Sequence, residues 1–192
     1  MTDIKPTSLP GAEAKVQKNR RLPAWVFASA FIVLLGFLML LYWGLNRAQQ
    51  GPITVGDQVP PFDLTTFDGQ VIHTGDLVGK VVVVNFWASW CKPCEQEAAE
   101  MEQAWRLYEP SGQVVFLGVD YVDTEPEAMG YLNKFDITYP NGPDLRTDIS
   151  QLFRIRGVPE TYIIDRQGKL AVVKIGPFVS LPEIRDAIDG LL

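Results

Sequence analysis

The 192-residue chain predicts an α/β domain with a mixed central sheet covered on both faces, preceded by one membrane-spanning helix. Three observations carry that expectation. The first is a long apolar stretch without a charged residue, Leu22 to Leu45, near the N-terminus. The second is the order of periodic segments after it: a hairpin, then β-α-β-α, then β-β-α. The third is the β-branched run Val81-Val82-Val83-Val84, which lacks the alternation of a half-exposed strand and suits one buried on both faces.

The 24 residues from Leu22 to Leu45 would extend about 36 Å as a helix, enough to cross a hydrocarbon core of roughly 30 Å. Trp25 lies near one end, with Tyr42 and Trp43 near the other, as in an interfacial aromatic belt. Lys5, Lys15, Lys18, Arg20 and Arg21 precede the stretch, whereas Arg47 stands alone just beyond it. The positive-inside rule then puts residues 1–21 in the cytoplasm and everything after the span outside. A cleavable signal peptide fits less well, because its apolar region should be about 7–15 residues with small residues following. Residues 22–45 therefore read as a single-pass anchor in the bilayer. Residues 46–56, with Gln49-Gln50-Gly51-Pro52 and Gly56, read as a linker to a domain over 57–192.

In that domain, Phe62-Asp63-Leu64-Thr65 and Val71-Ile72-His73 flank Asp68-Gly69, the signature of an extra N-terminal hairpin. Val81 to Phe86 is the central strand. From Cys91 the period changes: Glu95, Glu97, Glu100 and Glu102 interleave with Ala98, Met101, Ala104, Trp105 and Tyr108 at helical spacing, until Pro110-Ser111-Gly112. Val114 to Val119 is the next strand. Thr124-Glu125-Pro126-Glu127 opens a helix to about Phe135, with a Thr cap and an early Pro. A short helix follows near Thr147 to Phe153. Thr161 to Ile164 and Lys169 to Ile175 form a hairpin through Asp165-Arg166-Gln167-Gly168, and Ser180-Leu181-Pro182-Glu183 is a capping box for the last helix.

Residues 51–192 hold 11 Lys+Arg against 21 Asp+Glu, net −10 with the histidine neutral. Such acidity argues against nucleic acid or anionic lipid as the domain's main partner.

Cys91-Lys92-Pro93-Cys94 contains both cysteines of the chain, at a strand-to-helix switch. A bridge across so short a ring stabilises little. Chain entropy gives roughly 1.9 kcal/mol for a four-residue loop against about 4.7 for a hundred-residue one. The pair is therefore read as a redox couple that opens and closes. At a helix start, Cys91 has free backbone N–H groups and the positive dipole end nearby, both favouring thiolate, and Lys92 adds a cation. Pro93 fits a first helical turn. Cys91 is the expected nucleophile and Cys94, one turn inward, the resolving thiol. No cofactor beyond this couple is expected.

Asn85-Phe86-Trp87-Ala88-Ser89-Trp90-Cys91-Lys92-Pro93-Cys94, together with Gly157-Val158-Pro159-Glu160-Thr161 and Asp165-Arg166-Gln167-Gly168-Lys169, resembles the membrane-anchored thioredoxin-like thiol–disulfide oxidoreductases of the TlpA, ResA and CcmG/DsbE types. The resemblance runs from about Asp57 to Leu192. It implies a thioredoxin-like fold and a cis Pro159 that lies against the CxxC pair and positions a substrate backbone. It further implies that Glu97, just past the second cysteine, tunes thiol protonation, and that Glu160 matches a Pro-Glu-Thr seen near the active face in the cytochrome-maturation branch. Trp90 is expected to offer a flat apolar surface to a partner chain, and Trp87 to pack in the core. Asn85 stands where thioredoxin keeps a buried aspartate, which leaves Glu97 as the candidate proton carrier. No histidine lies between the cysteines, and carboxylates at 97 and 160 disfavour thiolate; both features lean towards a reductant.

The resemblance implies a protein disulfide as substrate, apocytochrome c or a copper protein, and a membrane electron donor that restores the dithiol. The alternative from another class is a copper-binding module using the CxxC thiols. Thioredoxin-fold metal carriers use a wider cysteine spacing and a distal histidine, whereas here His73 lies in the early hairpin and is expected to be structural or exposed. A peroxidase reading lacks the Pro-x-x-x-Thr-x-x-Cys context of that related family.

Overall fold

The computed structural model describes residues 23–48 and 51–192, in two compact units divided at Gly51/Pro52. The expected cytoplasmic segment 1–21 lies outside the described residues, as do Leu22, Gln49 and Gln50. In the first unit, α1 (Ala24–Ala48) includes Trp25–Leu45, 21 residues long and apolar enough to cross a membrane by length and composition. The helix continues past the expected end at Leu45. Its large apolar side chains, among them Phe31, Leu38, Met39 and Tyr42, are exposed.

The second unit begins with the expected hairpin, β1 (Asp63–Thr65) and β2 (Val71–His73), paired Leu64 to Ile72. The main sheet comprises β3 (Val81–Trp87), β4 (Val114–Tyr121), β5 (Asn141–Asp144), β6 (Glu160–Ile164) and β7 (Leu170–Ile175), in the order β5-β4-β3-β6-β7. β3 runs parallel to β4 and β4 to β5, whereas β6 is antiparallel to both β3 and β7. The helices are α2 (Lys92–Tyr108), α3 (Glu125–Lys134), α4 (Asp148–Phe153) and α5 (Leu181–Asp189).

β3 explains the two-layered core. Val81 and Val83 face one way, packing with Met101, Ala104 and Tyr108 of α2 and Ile184 and Ile188 of α5. Val82, Val84 and Phe86 face the other way, against Leu64, Ile149, Phe153 and Tyr162. All seven β3 residues are buried, and each Val or Phe so buried contributes about 1.5–3 kcal/mol. A third cluster joins Trp87, Cys91, Cys94 and Ala98 to Ala128, Tyr131 and Leu132 of α3.

Three local differences from expectation have clear causes. β5 is built from Asn141-Gly142-Pro143-Asp144, all turn formers. It holds because β4 supplies its partner and an edge strand tolerates Pro. β4 runs two residues further than its apolar pattern, which carries Asp120 into the sheet. Thr124 does precede α3, but its hydroxyl donates to Glu127 Oε2 at 2.8 Å and makes no backbone cap. Ser180, by contrast, caps α5 as expected by accepting from Glu183 N–H.

Candidate active site

β3 delivers the chain into Ala88-Ser89-Trp90, and Cys91 is the N-cap of α2 with Pro93 in the first turn. The apolar strand and the early proline thus place both sulfurs where β3 ends and α2 begins. Cys91 and Cys94 are joined as a disulfide, their Cα atoms 5.3 Å apart. Cys91 Sγ accepts the Cys94 N–H at 3.1 Å, so the helix start already directs a backbone dipole at this sulfur. Cys94 is fully buried and Cys91 keeps 4% of its surface, which leaves Cys91 the more accessible partner. Lys92 is exposed, with its ammonium 2.9 Å from Glu95, which also pairs with Lys134. Much of its charge is therefore directed at Glu95.

Glu97, one turn beyond Cys94, is only 2% exposed. Its Oε1 accepts from Asn85 Nδ2 at 2.8 Å and its Oε2 from Phe178 N–H at 2.9 Å. Desolvation outweighs both donors and pushes Glu97 up to about 7. Asn85 Nδ2 also donates to Thr161 Oγ1 at 3.0 Å, so α2, β3 and β6 meet in one polar network inside the core. An aspartate at 85 would bring a second buried carboxylate to Glu97, whereas the amide brings a donor.

The Val158–Pro159 peptide is cis. Val158 packs against the cluster that holds both cysteines. A surface groove of about 300 Å³ unites Pro93 of the CxxC segment with Arg156, Val158, Pro159 and Ile175. Glu160 is 2% exposed, accepting from Arg156 N–H at 2.8 Å and from Tyr162 OH at 2.7 Å. Both oxygens are occupied within the fold, and their contribution at this face is to brace the loop carrying Pro159.

The two tryptophans divide by burial. Trp90 is 58% exposed beside Cys91, and its indole N–H reaches Val122 O at 3.4 Å. Trp87 is buried, stacks on Tyr131 at 4.5 Å between centroids, and donates to Asn141 Oδ1 at 2.8 Å. A Cβ on Gly118 would overlap that Asn141 amide, so this close approach requires glycine. Tyr131 OH donates to Cys94 O at 2.9 Å, tying α3 to the first turn of α2.

Sequence reasoning missed Asn141, Tyr131, Thr161 and the pair Asp120–Asp123. The last two fall between the expected strand Val114 to Val119 and the helix opened by Thr124, where no local pattern marks them. Asp123 Oδ2 nevertheless accepts from Ser89 N–H at 2.7 Å, just ahead of the CxxC pair. His73 is held on the hairpin by Asp63 at 2.8 Å, and that hydrogen bond raises its pKa. Among the described residues no group of three or more His, Cys, Asp or Glu is placed to hold a metal ion.

The AhpC/TSA family matches residues 55–173. The thiol-disulfide oxidoreductase ResA of Bacillus cereus is 31% identical over 177 residues, spanning 92% of this chain and 97% of its own. The thioredoxin-like protein YneN of Bacillus subtilis is 31% identical over 157 residues, spanning 81% of this chain and 91% of its own. The crystal structure of a thioredoxin-family thiol:disulfide interchange protein from Chlorobium tepidum superposes with a TM-score of 0.64 at 26% identity, over 74% of this chain and 98% of that one. With a CxxC disulfide capping the helix after a central strand, this chain belongs to the AhpC/TSA family as a thioredoxin-like thiol–disulfide oxidoreductase of the ResA type.

Proposed function

We propose that this protein is a membrane-anchored reductase of protein disulfides on the outer side of the cytoplasmic membrane, with apocytochrome c as its substrate. The observation that carries the chemistry is the Cys91–Cys94 bridge at the N-cap of α2, beside a groove that includes Pro159. In the reduced protein, Cys91 thiolate attacks one sulfur of a substrate disulfide. A mixed disulfide forms and the second substrate sulfur leaves as thiolate. Cys94, deprotonated, then attacks the Cys91 sulfur, which closes the intramolecular bridge and releases the other substrate sulfur. Two electrons have passed to the substrate, and the oxidised state described here is the product.

The reducing direction is supported by Glu97 and by the absence of an imidazole between the cysteines. A buried carboxylate ionising at about 7 disfavours a neighbouring thiolate, which favours giving the electrons away. Glu97 is also the group through which a proton at Cys94 would be exchanged, held ready by Asn85 and Phe178. Pro159, with Glu160 behind it, and Trp90 form the face offered to an extended segment of the substrate. A membrane electron donor restores the dithiol.

The anchor is supported by α1, whose exposed apolar side chains suit lipid, and by the charge bias of residues 1–21. The ResA similarity, at 177 residues, is longer than residues 57–192 and so takes in part of the N-terminal segment. Copper delivery gains no such support.

Cys94→Ala should capture the substrate as a stable mixed disulfide, identifiable by mass spectrometry, whereas Cys91→Ala should capture none. Equal capture by both would overturn the assignment of roles, and capture of partners lacking any CxxCH segment would overturn the cytochrome assignment. In spheroplasts, added protease should degrade the domain; full protection would refute the orientation.

A further inference from the structure

Where β4 leaves the sheet, two carboxylates lie three residues apart beside the segment that leads into Cys91. Asp120 is 1% exposed, and neither of its oxygens meets an N–H or O–H donor. β3 places Trp87 opposite it and β5 places Pro143, neither of which titrates. The charged group facing it is Asp123, in the loop after its own strand. Two carboxylates can hydrogen-bond only when one of them carries a proton. Asp123 is already an acceptor through both oxygens, from Ser89 N–H at 2.7 Å and Thr124 N–H at 2.8 Å. The donor's part therefore falls to Asp120.

We propose that Asp120 and Asp123 share one proton and that this pair positions the Ser89-Trp90 segment ahead of Cys91. Desolvation, reinforced by the Asp123 charge, keeps the proton on and pushes Asp120 up to about 8. The same loop has a second grip on the segment, because Val122 O accepts the Trp90 indole N–H. Val122 reaches that position with a left-handed backbone, φ 49°, an unfavourable choice for a β-branched residue. Loss of the shared proton would leave two buried like charges side by side. Asp123 would then withdraw from Ser89 and release the start of the CxxC loop. Neither carboxylate touches sulfur; both are positioning residues.

The catalytic consequence rests on Cys91 being the attacking sulfur, but the proton can be read without it. In the oxidised full-length protein in detergent micelles, the bridged cysteines do not titrate. Carboxyl ¹³C and amide ¹⁵N NMR between pH 5 and 9 should find the Asp120 carboxyl protonated through pH 7, with a midpoint of about 8. The Ser89 amide should move with the same midpoint. That step should vanish in D120N and persist in E97Q. An Asp120 carboxyl already ionised at pH 7, or a Ser89 step that survives in D120N, would overturn the proposal. If D120N does not fold, the wild-type carboxyl signal decides alone. A wild-type protein that reduces no disulfide would refute the proposed function while leaving this proton reading standing.

Discussion

Two buried carboxylates serve the neighbourhood of the Cys91–Cys94 bridge, one from α2 and one from β4, and the fold equips them differently. Glu97 meets two donors, Asn85 Nδ2 and Phe178 N–H, and still rises from its ordinary 4.5 to about 7. Asp120 meets none and rises from 3.8 to about 8. Burial thus sets the direction in both places; two donors hold Glu97 back, whereas the Asp123 carboxylate drives Asp120 further up. Glu97 is a carboxylate that can lose its proton near neutrality, which suits the proton exchange proposed for it. The other keeps its proton across that range and serves as a fixed hydrogen-bond donor.

The contrast has a pH signature. Both folded values lie above the ordinary ones, so the folded chain holds protons that the unfolded chain has released. The stability these two groups contribute is therefore greatest at low pH and is lost as pH rises, from 4.5 to about 7 for Glu97 and from 3.8 to about 8 for Asp120.

The largest expected effect is at Asp120. In urea unfolding of the oxidised protein, D120N should remove the greater part of the stability loss between pH 5 and 9; an unchanged wild-type slope in this variant would break the contrast. E97Q should remove a smaller part, about 3 kcal/mol by the linkage of a shift from 4.5 to about 7. The same variant should displace the pH–rate profile of Cys91 alkylation, and an unmoved profile would reduce Glu97 to a structural acceptor. N85A takes one donor from Glu97 and the partner from Thr161, and should cost about 1–3 kcal/mol at pH 8 while driving Glu97 further up. Carboxyl ¹³C titration checks the second half of that statement. Y131F is the smallest, about 1 kcal/mol, from loss of the bond to Cys94 O. It should leave the Glu97 midpoint where it was, so a displaced midpoint would couple the two regions.

The elements legible in advance were those whose signal is local. β3 announces itself through four successive valines, α2 through its period, α5 through Ser180 and Glu183, and the early hairpin through Asp68-Gly69. β5 was not legible, because Asn141-Gly142-Pro143-Asp144 is a strand only through its pairing with β4. The glutamates of α2 show the same limit at the site. Glu95, Glu97, Glu100 and Glu102 all look alike along the helix, yet Glu97 and Glu102 are buried. Glu102 is buried against Arg106 and Thr138, and Glu97 against Asn85 and Phe178.

What the amino-acid order determined by itself was an apolar helix of membrane-spanning length, a strand buried on both faces, and a dithiol at the start of a helix. Those follow from side-chain chemistry and period within a few residues. Tertiary structure alone decided which carboxylates would be stripped of water, because a group's solvation depends on what folds over it. For Glu97 the covering backbone N–H comes from Phe178, 81 positions away. Asp120 stands in the sheet between Trp87 of β3 and Pro143 of β5, 1% exposed, and the fold supplies neither of its oxygens with a donor.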